Sequence, residues 1–253
     1  MSPTVGSPTR RTARKDKLAN SVAQSVLQDI RRQGLSFGDQ LPKEADMLEE
    51  YGVGRGTLRE AMRVLETCGL IALKPGPGGG PVVQSVTPED FGRVASLFFQ
   101  FAGVTYREVN EARQILEPMA ARLAAERQMG SDAARELLDL AQSGPDAADV
   151  ETYLHITGDF HASVIAMGEN TLVSVVCQSL AEIFRDRIQA VHFPKNKQRD
   201  VHASHVGVAE AILAGDSVRA ESLMTEHMQD YLKYVAKQHP TLLDEVVTWR
   251  NRS

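Results

Sequence analysis

The chain has 253 residues, 42% of them apolar, with two cysteines and a formal net charge of −5. That is enough for one large domain or two modest ones around a real core. Two cysteines exclude a disulfide framework, no apolar run approaches the ~20 residues that cross a bilayer, and the polar N-terminus lacks the apolar stretch of a secretory signal. Cys68 and Cys177 each fall in an apolar helical pattern, which reads as a reduced core thiol in a cytoplasmic protein. The charge is uneven. Residues 1–85 carry 12 Lys and Arg against 9 Asp and Glu, net +3; the remainder carries 16 against 24, net −8. A mildly basic front on an acidic body confines any nucleic-acid binding to the front.

In chain order, residues 1–14 are rich in Ser, Thr, Pro and Arg without apolar periodicity and read as a disordered tail. Arg10, Arg11 and Arg14 are either solvated there or form a basic arm for a DNA groove. Leu18, Val22, Val26, Leu27 and Ile30 recur at helical spacing. A second, short helix is expected over 43–51, with Pro42 near its start. Gly52-Val53-Gly54 makes a tight turn, and a third helix spans 55–68 with Leu58, Met62 and Leu65 on one face and Gly69 as its stop. The run 70–73 and Val82-Val83 read as two strands around a Gly- and Pro-rich tip. Three helices and a hairpin over 15–85 make a winged helix-turn-helix.

Beyond Pro88 the pattern is helix upon helix, over about 88–102, 105–129, 131–142, 147–167, 171–191, 198–214 and 217–238. The fold class is therefore mainly α: the winged helix-turn-helix, then an all-helical bundle of about seven helices over 86–239. Residues 240–253 read as a short, partly ordered extension.

Two groups of residues carry candidate chemistry. Arg55 and Arg59 lie four apart near the start of the third helix and share one face. Arginine there makes bidentate bonds to guanine or clamps phosphate, and Thr57 and the helix-start N–H groups suit phosphate positioning. Gly56, Lys43 at the preceding helix, and Lys74 and Gly76 at the wing complete the expected DNA contacts. By themselves two arginines are more often simply solvated; the helix, turn and wing around them reverse that weighting. In the second group, His161, His205 and His227 fall on three separate expected helices. In a bundle they either project into one cavity and bind a metal or sit in the core. Arg113 shares an otherwise apolar helix face with Leu116 and Ala120. It is placed to meet an effector carboxylate, to pair with Glu117 one turn on, or both. Asn170 follows a helix break and is either a cap or a ligand contact.

The stretches Leu41-Pro42, Val53-Gly54-Arg55 and Arg59-Glu60-Ala61 resemble the GntR family of bacterial regulators over about 15–85. The segments Glu111–Ala121, Asp159-Phe160-His161 with Gly168-Glu169-Asn170, and His205 to His227 resemble the FCD effector domain of the FadR subfamily over about 88–238. Gly54 and Gly56 replace the family's usual Ser or Thr, and Ala45 replaces its usual arginine, which removes potential DNA contacts. The resemblance implies a metal at His161, His205 and His227, with zinc as the candidate, and effector contacts at Arg113, Thr157 and Asn170. Thr157 stands where the family usually has a carboxylate ligand. It further implies a homodimeric repressor that binds a pseudo-palindromic double-stranded DNA operator and is released by a small carboxylate in a compact polar cavity. Metal as the signal, or a fatty acyl-CoA effector, are the alternatives. An enzyme is disfavoured by the absence of a HExxH motif, nucleophile elbow or P-loop.

Overall fold

The structure is a computed structural model. It describes the backbone of residues 10–249 apart from 77–78, 86, 144–148, 189–190 and 192, and side chains from residue 17 on except 150, 186 and 188 in addition. The chain divides into two compact units with the boundary after Val86.

In the first unit, α1 (Arg10–Arg32) packs along α3 (Arg55–Thr67). Val22, Ala23 and Val26 meet Leu58, Ala61, Met62 and Leu65, all buried. Helix α1 starts at Arg10, inside the stretch read as tail. Arg, Ala and Lys are good helix formers, and no Gly or Pro interrupts them, so the helix extends back past its last core contact. Residues 1–9 and the side chains of Arg10, Arg11 and Arg14 lie outside the described residues. Helix α2 (Glu44–Glu50) is short, buries Met47 and is tied to α1 by the Tyr51 hydroxyl, which donates to Asp29 at 2.9 Å.

The wing is antiparallel, β1 (Ile71–Lys74) against β2 (Gly80–Val83), with Ile71 opposite Val83 and Lys74 opposite Gly80. Its tip closes so tightly that a Cβ on Gly79 would lie 2.3 Å from the Lys74 carbonyl oxygen, so only glycine fits there. Cys68 is exposed, contrary to the expectation of a core thiol. It is the C-cap of α3; Gly69 turns the chain at φ +74°, and the following Ile71 takes the buried position instead.

The second unit holds seven α-helices among the described residues: α4 (Pro88–Ala102), α5 (Tyr106–Gln128), α6 (Asp132–Ser143), α7 (Val150–Met167), α8 (Thr171–Ile188), α9 (Lys195–Ala214) and α10 (Ser217–Gln238). Their starts are written in the sequence. Thr87 with Asp90, and Thr105 with Glu108, form reciprocal capping boxes, and Asp149 and Asp216 accept from the third N–H of α7 and α10. Helix α5 is central and packs on α7, α8, α9 and α10. Its alanines Ala121, Ala124 and Ala125 are fully buried and let Phe160, Ile212 and Met224 close around them.

Helix α4 lies on α8 at Gly92, where a Cβ would come within 3.2 Å of the Ser179 carbonyl oxygen. The Ser179 hydroxyl donates to the Pro88 carbonyl at 2.6 Å. The opposite face of α4 exposes Phe91, Val94, Phe98 and Phe101. Of the C-terminal extension, residues 241–249 pack against the bundle, and 250–253 lie outside the described residues. Leu242, Leu243 and Val247 are buried, Tyr106 N–H donates to Glu245 O at 3.0 Å, and Val247 N–H to Val104 O at 2.8 Å. Its apolar residues complete the core around Tyr106 and Phe184.

Candidate functional site

Helices α5, α7, α8 and α10 enclose a cavity of about 1140 Å³. At its inner end stand His161 of α7 and His227 of α10, with His205 of α9 beside them. The Nε2 atoms of His205 and His227 are 3.3 Å apart, and those of His227 and His161 are 3.2 Å apart. All three rings are buried, and their ligand atoms lie within 4.8 Å of one another. Zinc–imidazole bonds of about 2.0–2.1 Å imply tetrahedral N···N edges of roughly 3.3–3.4 Å, and the two edges through His227 are close to that. Three converging imidazole nitrogens cannot all be satisfied by one another.

The protonation states suit a metal. Burial, reinforced by His227 and His161, pushes His205 well below its ordinary value. Burial, reinforced by His161, pushes His227 down to about 3. Both are therefore neutral ligands near pH 7. His161 is oriented from behind: its Nδ1 is 2.6 Å from Oε2 of Glu117. Burial alone would raise the Glu117 carboxyl, but Arg113 and His161 hold it at about 2. An ionised carboxylate only accepts, so Nδ1 carries a proton and Nε2 is the ring nitrogen turned to the cluster. Phe160 stacks on His205 with ring centroids 4.0 Å apart and fixes that ring.

Arg113 also contacts Glu117, through Nε at 2.7 Å. Thus the pairing with Glu117 and an inward placement hold together. Its guanidinium lies over the Phe184 ring at 5.9 Å and borders the cavity. Cys177 is buried; burial, with Glu117 adding to it, pushes its thiol up to about 12. Thr157 is half-buried in the cavity wall, one turn before His161. Asn170 is a correction: it is exposed, accepts from the Val173 N–H at 3.1 Å as a cap of α8, and stands outside the cavity wall. The compact cavity expected is also corrected. Its lining takes in exposed residues, Glu89, Glu151, His155, Asp159 and Arg185, with half-buried Glu182, and these mark its mouth. Arg185 lies against Gly158, where a Cβ would make an ordinary contact of 3.5 Å with its guanidinium.

Two residues of the site were missed: Glu117, read only as a partner of Arg113, stands behind His161, and Tyr231, which had no reading, lines the cavity. Tyr231 follows His227 by four residues, one turn along α10, and that spacing was the available signal.

In the first unit, Arg55, Gly56 and Arg59 are exposed on the outer side of α3 while Leu58, Ala61, Met62 and Leu65 are buried. Thr57 is half-buried in the first turn. Gly54 caps α3 without a side chain, which leaves the early N–H groups facing solvent or an anion. Lys43 is exposed before α2, and Lys74 and Gly76 are exposed at the wing. This is the surface by which a winged helix reads a major groove.

Residues 18–79 match the model of bacterial regulatory proteins of the gntR family, and residues 108–230 match the FCD domain. The chain belongs to the GntR family. This GntR-family chain is 26% identical over 227 residues to the HTH-type transcriptional repressor NanR of Enterobacter sp. (strain 638), covering 87% of this chain and 85% of that protein. It is 26% identical over 204 residues to the HTH-type transcriptional regulator LutR of Bacillus subtilis, covering 79% and 92%. The solved structure of Streptococcus agalactiae GntR shares the fold, with a TM-score of 0.68 at 24% identity over 85% of this chain and 99% of that one. The protein is a bacterial transcription regulator with an FCD effector domain, not an enzyme. Among the described residues, no helix is long and apolar enough to cross a membrane.

Proposed function

We propose that this regulator is a homodimeric repressor, that it holds a divalent metal ion at His161, His205 and His227, and that a small carboxylate metabolite entering the α5–α7–α8–α10 cavity releases it from its operator. One observation carries the reading: three buried imidazoles converge, two of them, His161 and His227, on the wall of a cavity that a buried arginine also borders. A zinc ion bound there supplies a Lewis-acidic anchor for carboxylate oxygens. Glu117 holds His161 in the required tautomer, and Arg113 offers charge to the incoming anion. Lys43, Arg55, Gly56, Thr57, Arg59, Lys74 and Gly76 are the proposed DNA contacts. The exposed apolar stripe of α4 supports a dimer, because a contiguous apolar face of this kind is usually covered by a partner; a second copy is the occupant that a two-half-site operator requires.

The charge of the mouth weighs against the acyl-CoA alternative. Glu89, Glu151, Asp159 and Glu182 would oppose the phosphates of a coenzyme, with Arg185 as the arginine among them. The deciding experiment measures operator affinity for metal-free protein, zinc-loaded protein, and zinc-loaded protein with carboxylates or acyl-CoA. The expected pattern is tight binding with zinc alone and release by a carboxylate. Release by zinc alone would make the metal the signal, and release by acyl-CoA alone would overturn the small-carboxylate reading.

A further inference from the structure

The Tyr231 hydroxyl is buried and has no hydrogen-bond partner among the described residues. It belongs to a cavity wall, and its ring cannot easily turn away. Phe193 stacks on it at 6.0 Å and 10°, and Phe184 meets it edge-on at 6.3 Å. Burying a hydroxyl without a partner is costly, so such groups usually await something. Phe184 is also the ring beneath the Arg113 guanidinium, which places the phenol and the arginine around one aromatic side chain. Glu117 engages only Nε of Arg113; among the described residues the two terminal nitrogens make no hydrogen bond. Burial raises the Tyr231 phenol above its ordinary value while Arg113 pulls it partly back. It therefore keeps its proton and is a donor.

We propose that Tyr231 and the terminal nitrogens of Arg113 form a second oxyanion subsite, distinct from the histidine cluster, and that it selects effectors carrying two carboxylates. Tyr231 lies one turn past His227, about 6 Å along the helix axis. A four- to six-carbon dicarboxylate spans that separation, with one carboxylate at the histidines and the other on Arg113 and Tyr231. A monocarboxylate of equal length fills only one end and leaves the phenol unpaired. Discrimination of this kind is strong, because the rejected ligand leaves a buried polar group without a partner. This inference rests on the small-carboxylate reading above.

The test is calorimetric titration of the zinc-loaded full-length protein with succinate, glutarate and adipate, each against butyrate, valerate and hexanoate of matching length. At least one dicarboxylate is expected to bind roughly tenfold to a hundredfold more tightly than its partner, the usual worth of a hydrogen bond to a charged group. Y231F should erase most of that ratio and leave the monocarboxylate unchanged. Y231F removes a hydroxyl that bonds to nothing among the described residues, so its ligand-free Tm should hold or rise. A structural hydroxyl would instead lower it, which would overturn the proposal. Equal binding of both acids by the parent, or an undiminished ratio in Y231F, would overturn the subsite while leaving the small-carboxylate reading standing. If no acid of either kind binds, that reading fails together with the subsite.

Discussion

At the scale of single residues, Glu117 is the pivot of the second unit. It is 1% exposed and accepts from both Arg113 and His161. Removing one partner of a buried pair leaves a stranded charge and costs about 3–5 kcal/mol, whereas replacing both by apolar residues is often close to neutral. Glu117→Gln should therefore destabilise the fold by about that amount, and the double variant Arg113→Met with Glu117→Leu should recover much of it. Urea denaturation of the three proteins checks this; a double variant no more stable than Glu117→Gln would contradict the coupling. Glu117→Gln should also weaken zinc by roughly 10- to 100-fold, as loss of a ligand-orienting carboxylate usually does. His161→Ala, His205→Ala and His227→Ala should each lower the metal content of purified protein, and Thr157→Asp should tighten binding, since it adds a carboxylate one turn before His161. Elemental analysis that finds the parent metal-free and unable to take up zinc would make the cluster a polar pocket. The three histidines were legible in the sequence as residues of three separate helices, while their reading as one cluster came from the resemblance to the FCD domain. Glu117 was legible as half of a pair, but its bond to His161 joins residues 44 apart and depends on the crossing of α5 and α7.

At the scale of elements, the seven expected spans of the bundle all have their counterparts in α4 to α10. Glycine stops and Thr or Asp caps are local signals, so chain order alone reveals them. The two ends of the chain were not legible. The extension of α1 to Arg10 rests on propensity without an apolar marker. The packing of residues 241–249 rests on Leu243 and Val247 finding a groove made by distant helices. Leu243 is fully buried, and Leu243→Ala should cost about 2–5 kcal/mol through the cavity it leaves. A melting temperature unchanged by that substitution would show that the C-terminal segment does not support the core. On α3, Arg55→Ala and Arg59→Ala should each weaken operator binding by about 1–3 kcal/mol without a change in Tm, because both side chains are exposed. Gel-shift titration measures the first quantity and thermal melting the second; full affinity in both variants at physiological salt would remove α3 as the reading helix.

At the scale of the whole molecule, a net charge of −5 hides a basic front unit. Binding through arginine and lysine displaces condensed counterions, so operator affinity should fall steeply as salt rises. A flat response between low and physiological salt would contradict a phosphate-dominated interface. Association should depend on α4: Phe98 is 67% exposed and Phe101 93%, and the pair Phe98→Glu with Phe101→Glu should turn a dimer into a monomer in sedimentation. The two cysteines carry one more consequence. Thiolate fraction and access govern the reactivity of a thiol toward a maleimide. Cys177 is buried with its thiol pushed up to about 12, whereas Cys68 is exposed at the end of α3. A spin label or fluorophore will therefore attach at one place in the unaltered chain, at the end of the proposed recognition helix. In a twofold assembly each molecule then carries a matched pair of probes. The distance between them gives a direct ruler for the spacing of the two recognition helices with and without effector.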